Sequence, residues 1–328
     1  MRILFAGSPA IAVPSLKAIA ALASAYGGSP RGGGDFTLAG LLTNADSPRG
    51  RSGRPEPTDC AAALTGLRGD AVPILKPEKL DAGLREQAAA LKPDLLVSFA
   101  YGRIFGPKFL ALFPLGGINI HPSLLPQYRG PAPIPAAIIN RDTSTGITIQ
   151  RLALEMDSGD ILARETMPLN GRETTAELSE TMALKAARML PDLLVGIASG
   201  TVNAGPQDHS AATYCSLITR DDGLIDWNLG AADIDARIRA FTPWPLSFTA
   251  HGDRRLIILK AGVYGGTPGQ YGSISPGVVL GKDNDMGILI QTGAGVLAVR
   301  ELQYRTKKAL DWKAFQNGTR NFIGTRLG

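Results

Sequence analysis

The chain has 328 residues, of which 44% are apolar and 19% charged, and its formal net charge is +5. That length is comfortable for two domains, and the composition is that of a globular protein, which excludes fibrous, collagenous and disordered classes. The mild basic excess permits a polyanionic partner without demanding one. Two cysteines, Cys60 and Cys215, and three histidines, His121, His209 and His251, form no CxxC and no zinc-ligand spacing, so no metal is expected. The apolar start is broken by Gly7, Pro9 and Pro14 and reads as neither a signal peptide nor a membrane span. A cytoplasmic protein is expected.

In chain order, RILFA (2–6) reads as a short buried strand. The turn Gly7-Ser8-Pro9 after it is not GxGxxG, and the pattern predicts a helix from about Pro14 to Ala25. Residues 27–34, GGSPRGGG, read as a surface excursion with no assigned role. FTLAGLLT (36–43) is the second strand, and the segment after it carries Arg49, Arg51 and Arg54 among Gly, Ser and Pro. Nothing apolar anchors this segment, so it belongs on the surface, either as a solvated loop or as an arm against nucleic-acid phosphates. AVPIL (71–75), a helix over roughly 78–91 and the buried strand DLLVSFA (94–100) follow.

The strand INI (118–120) leads into HPSLLPQYRGPAPIP, a helix is predicted over about 132–140, and TGITIQRLAL (145–154) is the next strand. DILARETMPL continues as an extended piece, and a long helix runs from Thr174 to about Ser199, capped by Thr174 or Thr175. Strands and helices alternating at these lengths make a βαβ sheet, an α/β domain over residues 1–200.

Composition then shifts. Residues 201–212, TVNAGPQDHSAA, read as a linker, and residues 213–328 as a second domain. SFTAH, RLIILKAGVY, GVVLG, GILIQT and GVLAVRELQ are short strands at regular spacing, the pattern of a small β-barrel, preceded by one clear helix, DIDARIRAF (233–241). Trp227 and Trp244 are assigned to its core. Arg305, Lys307 and Lys308 form a basic cluster beside the barrel, read as a solvated face or as a phosphate contact, since such barrels bind single strands and RNA.

The chemistry concentrates on INIH. Ile118 and Ile120 alternate with Asn119 and His121, so the two polar side chains share one face of a strand that should be apolar on both. Asp157 follows the strand at 145–154, and if both strands belong to one parallel sheet the three groups converge at its carboxyl edge. An amide, an imidazole and a carboxylate suit transfer of an acyl-type group. The Asn and His N–H groups can donate to a developing oxyanion, and the carboxylate can orient the imidazole or take a proton through water. No GxSxG motif exists and no cysteine neighbours a histidine in sequence, so direct attack by a substrate amine fits better than a covalent enzyme intermediate. Individually, the three could equally satisfy a turn, a core and a local cap.

INIHPSLLPQYRGPAPI followed by TGITIQRLALEMDSGDI resembles the signature of the folate-dependent formyltransferases. FAGSP near the start, IDW (225–227), IRAFTPWPLSF (238–248) and PGVVL (276–280) extend the likeness over the whole chain, most closely to members that act on charged initiator tRNA. The resemblance implies a formyltransferase-type Rossmann domain with a mostly parallel sheet, joined to an OB-like barrel. It implies Asn119, His121 and Asp157 as the catalytic trio and 10-formyltetrahydrofolate as formyl donor, with no metal. Ser123, Leu124, Leu125 and Pro126 would lie against the folate, with the backbone around Phe99 to Tyr101 as a wall of its pterin slot. The implied acceptor is the α-amino group of methionine on initiator tRNA, with Arg49, Arg51 and Arg54 at the acceptor stem and Arg305, Lys307 and Lys308 on phosphates. One departure stands out: the family usually has arginine after the aspartate of this loop, and here Asp46 is followed by Ser47. The alternatives are an N-formyltransferase for a nucleotide-linked amino sugar and a non-catalytic RNA-binding relative. With no exposed apolar stripe evident, a monomer is expected.

Overall fold

The computed structural model describes residues 1–26, 35–48, 53–68, 71–266 and 274–328. The excursion at 27–34 and the side chains of Arg49 and Arg51 lie outside the described residues. Two compact units emerge: Met1–Pro133 with Ser144–Pro168 and Ser179–Cys215, and Ile134–Thr143 with Leu169–Leu178 and Ser216–Gly328.

In the first unit, β1 (Arg2–Ala6), β2 (Thr37–Leu42), β5 (Ile74–Leu75), β6 (Leu95–Phe99), β7 (Gly117–His121), β8 (Ser144–Arg151) and β9 (Ile161–Pro168) form one sheet in the order β5-β2-β1-β6-β7-β8-β9. From β5 to β7 the pairing is parallel, and β6 is buried along its whole length. Both faces are therefore covered, which is why these strands read as continuous apolar runs. The helices α1 (Val13–Tyr26), α2 (Asp59–Arg68), α3 (Ala82–Ala90) and α4 (Pro107–Leu110) lie between these strands in sequence. Asp81 caps α3 by accepting from the Leu84 N–H, so the helix starts a turn later than its pattern predicts. On one face Tyr101, Phe105, Phe109 and Phe113 stack in succession, with centroids 5.3–5.5 Å apart.

One expectation is corrected here. β8 runs antiparallel to β7, with Ile118 opposite Arg151 and His121 opposite Thr148. The carboxyl end of β8 therefore lies at the amino end of β7, not beside His121. The segment after β8 must turn back to bring Asp157 to the site.

Between β2 and α2 the arginine segment forms a two-stranded ribbon, β3 (Ser47–Pro48) against β4 (Pro55–Glu56), with every described residue of it exposed. Sequence patterning missed it, because strands of two residues have no periodicity to read.

The second unit holds α5 (Pro133–Ile139) except for its first residue. It also holds α7 (Ala231–Ala240), α8 (Trp312–Gly318) and the antiparallel strands β10 (Ser247–His251), β11 (Arg254–Val263), β12 (Val279–Asp283), β13 (Gly287–Gln291), β14 (Val296–Tyr304) and β15 (Leu310–Asp311). The strand order is β10-β11-β14-β13-β12, with β15 on β14, and register shifts at Lys260 bend the long β11. Ile234 and Ile238 of α7 and Phe315 of α8 join Leu256, Ile258, Ile290, Leu297 and Val299 in one core. Trp227 belongs to this core and donates its indole N–H to Thr249 at 3.0 Å. Trp244 does not: it is 52% exposed, between the cis prolines Pro243 and Pro245. The long α6 (Thr175–Ser199) begins with a reciprocal cap, in which the Thr174 hydroxyl accepts from the Glu177 N–H and the Glu177 carboxylate accepts from the Thr174 N–H. Among the described residues no helix is long and apolar enough to cross a membrane.

Candidate active site

β7 delivers Asn119 and His121 to one face, as its alternation requires. The loop from 152 to 160 folds back over them. It is pinned to β8 by the Arg151 N–H, which donates to the Asp160 carbonyl at 2.8 Å. Gly159 permits the fold, since a Cβ there would collide with the Arg151 carbonyl. At its tip Asp157 takes a left-handed φ of 54°, a conformation that costs a non-glycine residue roughly 1–3 kcal/mol and persists where surrounding contacts over-determine it.

Those contacts are plentiful. Oδ1 of Asp157 accepts from Asn119 Nδ2 at 3.3 Å and from Gln150 Nε2 at 3.0 Å, and Oδ2 accepts from the Gly130 N–H at 2.9 Å. His121 Nδ1 lies 3.5 Å from the same Oδ1. Thus the structure brings Asn119, His121 and Asp157 together around one carboxylate oxygen. Gly130 is at φ 116°, where a Cβ would strike the Cys215 carbonyl, so only glycine turns its N–H toward Asp157 here.

The imidazole of His121 is 4% exposed. Its Nε2 is 2.8 Å from the Tyr128 carbonyl, which can only accept, so Nε2 carries the hydrogen and Nδ1 faces Asp157. Burial lowers the His121 pKa; the Asp157 charge and the Tyr128 bond oppose this without overcoming it. The resting imidazole is therefore neutral, with a lone pair toward a carboxylate that stabilises it once protonated.

Space also brings Cys215 to the site, which sequence separation concealed. Its thiol lies against the Tyr128 carbonyl that His121 contacts, and donates to the Arg129 carbonyl at 3.4 Å. Burial pushes its pKa up, and burial pushes Cys60 up to about 12, so both stay thiols at neutral pH and neither is a nucleophile. Among the described residues no group of three or more His, Cys, Asp or Glu side chains is placed to hold a metal ion.

The loop after β7 is stapled to β8 by Thr148, whose hydroxyl donates to the Ser123 carbonyl at 2.7 Å and accepts from the Leu125 N–H at 3.1 Å. Ser123 and Leu125 are fully buried, with the Ser123 hydroxyl given to the Gln127 carbonyl, whereas Leu124 and Pro126 are partly exposed. Phe99 and Tyr101 are buried as well, and the Tyr101 side chain belongs to the aromatic stack. What Phe99, Tyr101, Ser123 and Leu125 offer a ligand is therefore backbone.

Sequence reasoning missed Gln150, Gly130 and Gln207. Gln150 is a buried polar residue that, with Thr148, alternates with Ile147 and Ile149 along β8, the same pattern that marks Asn119 and His121. Gln207 stands in the stretch read as a linker, yet it is 5% exposed and donates to the Asp157 carbonyl at 2.9 Å.

At the mouth of the arginine ribbon, Asp46 pairs with Lys76 at 2.6 Å, so a lysine from a different strand end serves the aspartate that Ser47 follows. Arg54 is exposed. Arg305, Lys307 and Lys308 are exposed on the turn from β14 to β15. Lys307 and Lys308 line a cavity of ≈ 370 Å³ with Arg254, Arg320 and Tyr304.

Residues 20–194 match the family described as formyl transferase, and residues 217–320 match the formyl transferase C-terminal domain. The chain belongs to the formyl transferase family. It is 47% identical to the methionyl-tRNA formyltransferase of Treponema denticola over 98% of each chain. It is 41% identical to the enzyme of the same name from Treponema pallidum, over 100% of this chain and 99% of that protein. Among solved structures, the sugar 3N-formyl transferase WlaRD, in the presence of dTDP and 5-N-formyl-THF, has a TM-score of 0.64 at 17% identity. That match covers 94% of this chain and 99% of that one. HypX from Aquifex aeolicus in complex with tetrahydrofolic acid has a TM-score of 0.57 at 17% identity, covering 99% of this chain and 48% of that one. These two likenesses establish the fold: a formyl transferase α/β domain followed by an antiparallel β domain.

Proposed function

We propose that this formyl transferase moves a formyl group from 10-formyltetrahydrofolate to the α-amino group of methionine on initiator tRNA. The observation that carries the chemistry is the single Asp157 oxygen shared by Asn119, Gln150 and His121, with the nearby Cys215 held as a thiol. The full-length likeness to two methionyl-tRNA formyltransferases supports the acceptor. In this reading residues 1–200 perform the transfer together with Gln207, which the expected linker 201–212 contributes to the site, and 213–328 hold tRNA.

The amine attacks the formyl carbon directly, a C–N bond forms, and the bond from that carbon to the folate nitrogen breaks. Asn119 gives one N–H to Asp157, and its second N–H donates to the oxyanion developing on the formyl oxygen. His121 keeps its Nε2–H on Tyr128, so its part is played at Nδ1. The proton leaving the amine passes by Asp157 Oδ1 to Nδ1, 3.5 Å away, and from there to the departing folate nitrogen. The imidazolium so formed also favours the oxyanion. The loop Ser123, Leu124, Leu125 and Pro126, held in shape by its bonds to Thr148, and the backbone of Phe99 to Tyr101 form walls of the folate's slot. Arg54, with Arg49 and Arg51 of the same sequence segment, and Arg305, Lys307 and Lys308 on the β14–β15 turn meet tRNA phosphates.

The test is formyl transfer from the folate donor to charged initiator tRNA, run beside a nucleotide-linked amino sugar. Formylation of the tRNA with a KM that rises steeply with salt is expected, because each neutralised phosphate releases counterions. Transfer to the sugar alone, indifferent to salt, rejects the acceptor; transfer to neither rejects the chemistry.

A further inference from the structure

We propose that Gln207 is a positioning residue that holds Asp157 against Asn119 and His121, with the buried Arg129 as its anchor; this rests on the formyl-transfer reading. Arg129 is 3% exposed and can only donate. Its Nε and Nη2 both point at Gln207 Oε1, at 3.2 and 2.7 Å, so the oxygen of that amide must face the guanidinium. The NH2 is then forced the other way. Its two hydrogens are shared among three acceptors, the carbonyls of Asp157 at 2.9 Å and Gly159 at 2.7 Å and Gln150 Oε1 at 3.1 Å, so one of these bonds is bifurcated.

The direction propagates. Gln150 accepts on its oxygen, so its own NH2 faces Asp157 Oδ1 at 3.0 Å. A single polarity therefore runs from Arg129 through Gln207 and Gln150 to the carboxylate, and neither amide can flip without breaking it.

Two features assign this chain to positioning rather than to general stability. Arg129's other partners are His209 Nδ1 at 2.9 Å and the Tyr214 hydroxyl at 3.4 Å, so among the described residues it has no carboxylate partner. Burying a guanidinium on neutral acceptors is costly, and an apolar side chain would fill the space at lower cost. Secondly, Gln207 holds the carbonyls of Asp157 and Gly159, on either side of Ser158, whereas the loop's other ties to its surroundings lie at its two ends and at the Asp157 carboxylate itself. The paired N–H···O bonds between Gly205 and Ile161 bring Gln207 to this spot. Holding both peptide planes fixes the left-handed Asp157, and hence the aim of its carboxylate.

Gln207→Glu separates the two ends of the clamp. It keeps an oxygen for Arg129, now as an ion pair, and removes the N–H groups that hold the loop. The variant is expected to fold, the new ion pair with Arg129 offsetting part of the cost of a carboxylate oxygen turned toward the Asp157 and Gly159 carbonyls, with at most a modest fall in unfolding midpoint. The Gly130 and Arg151 amides, which donate to the loop's Asp157 and Asp160, should exchange about tenfold faster, the equivalent of roughly one hydrogen bond. In formyl transfer to charged tRNA, kcat should fall roughly 10–10²-fold, the loss that ångström-scale misplacement of a catalytic group produces, with KM for both substrates unchanged. Unchanged exchange at both amides, or wild-type kcat in the variant, overturns the clamp. Faster exchange in a protein that never formylates tRNA keeps the clamp and rejects the assigned acceptor instead.

Discussion

The end of β7 and the basic turn between β14 and β15 both concentrate polar groups, but by opposite means. Around Asp157 the polar atoms are buried and cross-linked, and each amide has its direction dictated by a neighbour. Around Lys307 and Lys308 the cations are exposed at the rim of a cavity, in a unit whose core is dominated by apolar and aromatic side chains. Burial strengthens electrostatics and fixes geometry, which a reaction needs. Solvation leaves charge mobile and salt-sensitive, which suits contact with a polyphosphate. The difference separates what each region can do: one places atoms, the other attracts.

His121→Ala gives the sharpest break. It removes the imidazole but leaves the core apolar contacts of β7, and kcat for formyl transfer should fall by roughly 10²–10³ with little change in KM. Retention of near-normal turnover by this variant sinks the mechanism. Leu297→Ala probes the other region through its stability. Leu297 is fully buried, so denaturant unfolding should register a loss of about 2–5 kcal/mol.

Replacing both Lys307 and Lys308 by Ala should weaken charged-tRNA binding more at low salt than at high. The slope of log affinity against log salt should shrink by about one for each phosphate no longer neutralised, with kcat unaltered. An unchanged slope removes this turn from the tRNA surface. The smallest effect concerns pH. Burial lowers the His121 pKa from its ordinary 6.5, so the unfolded chain binds more protons there than the folded one. Stability contributed by the neutral, buried imidazole is present above pH 6.5 and is lost as pH falls from there through the lowered folded value. Denaturation midpoints measured between pH 8 and 5 should decline, and the decline should flatten in His121→Gln. His251, lowered by partial burial and by Arg254, adds a slope of the same sign that His121→Gln leaves in place.

Much of the site is legible in the sequence, because a buried parallel strand has no reason to carry Asn119 and His121 on one face. The same signal is present in Thr148 and Gln150, which share one face of β8, but threonine is common in strands and leaves the pair a weak sign. Gln207 could not have been found. Nothing in TVNAGPQDHSAA distinguishes a solvated glutamine from one that is 5% exposed; only the pairing of Gly205 with Ile161 brings it in. Trp244 errs the other way: an aromatic residue reads as core, but this one is 52% exposed.

By itself, then, the sequence determined the α/β-then-β order and the family and singled out Asn119, His121 and Asp157 as candidates, since strand periodicity and local motif are properties of neighbours along the chain. Only the tertiary structure decided how the trio meets. β8 proved antiparallel, and Asp157 reaches His121 through a loop that doubles back, is held at a left-handed φ and is gripped from 50 residues further on. It also decided that Cys215 shares a carbonyl with His121 and yet stays a thiol. Hydrogen-bond direction and burial depend on which distant groups are packed together, and no local pattern encodes that.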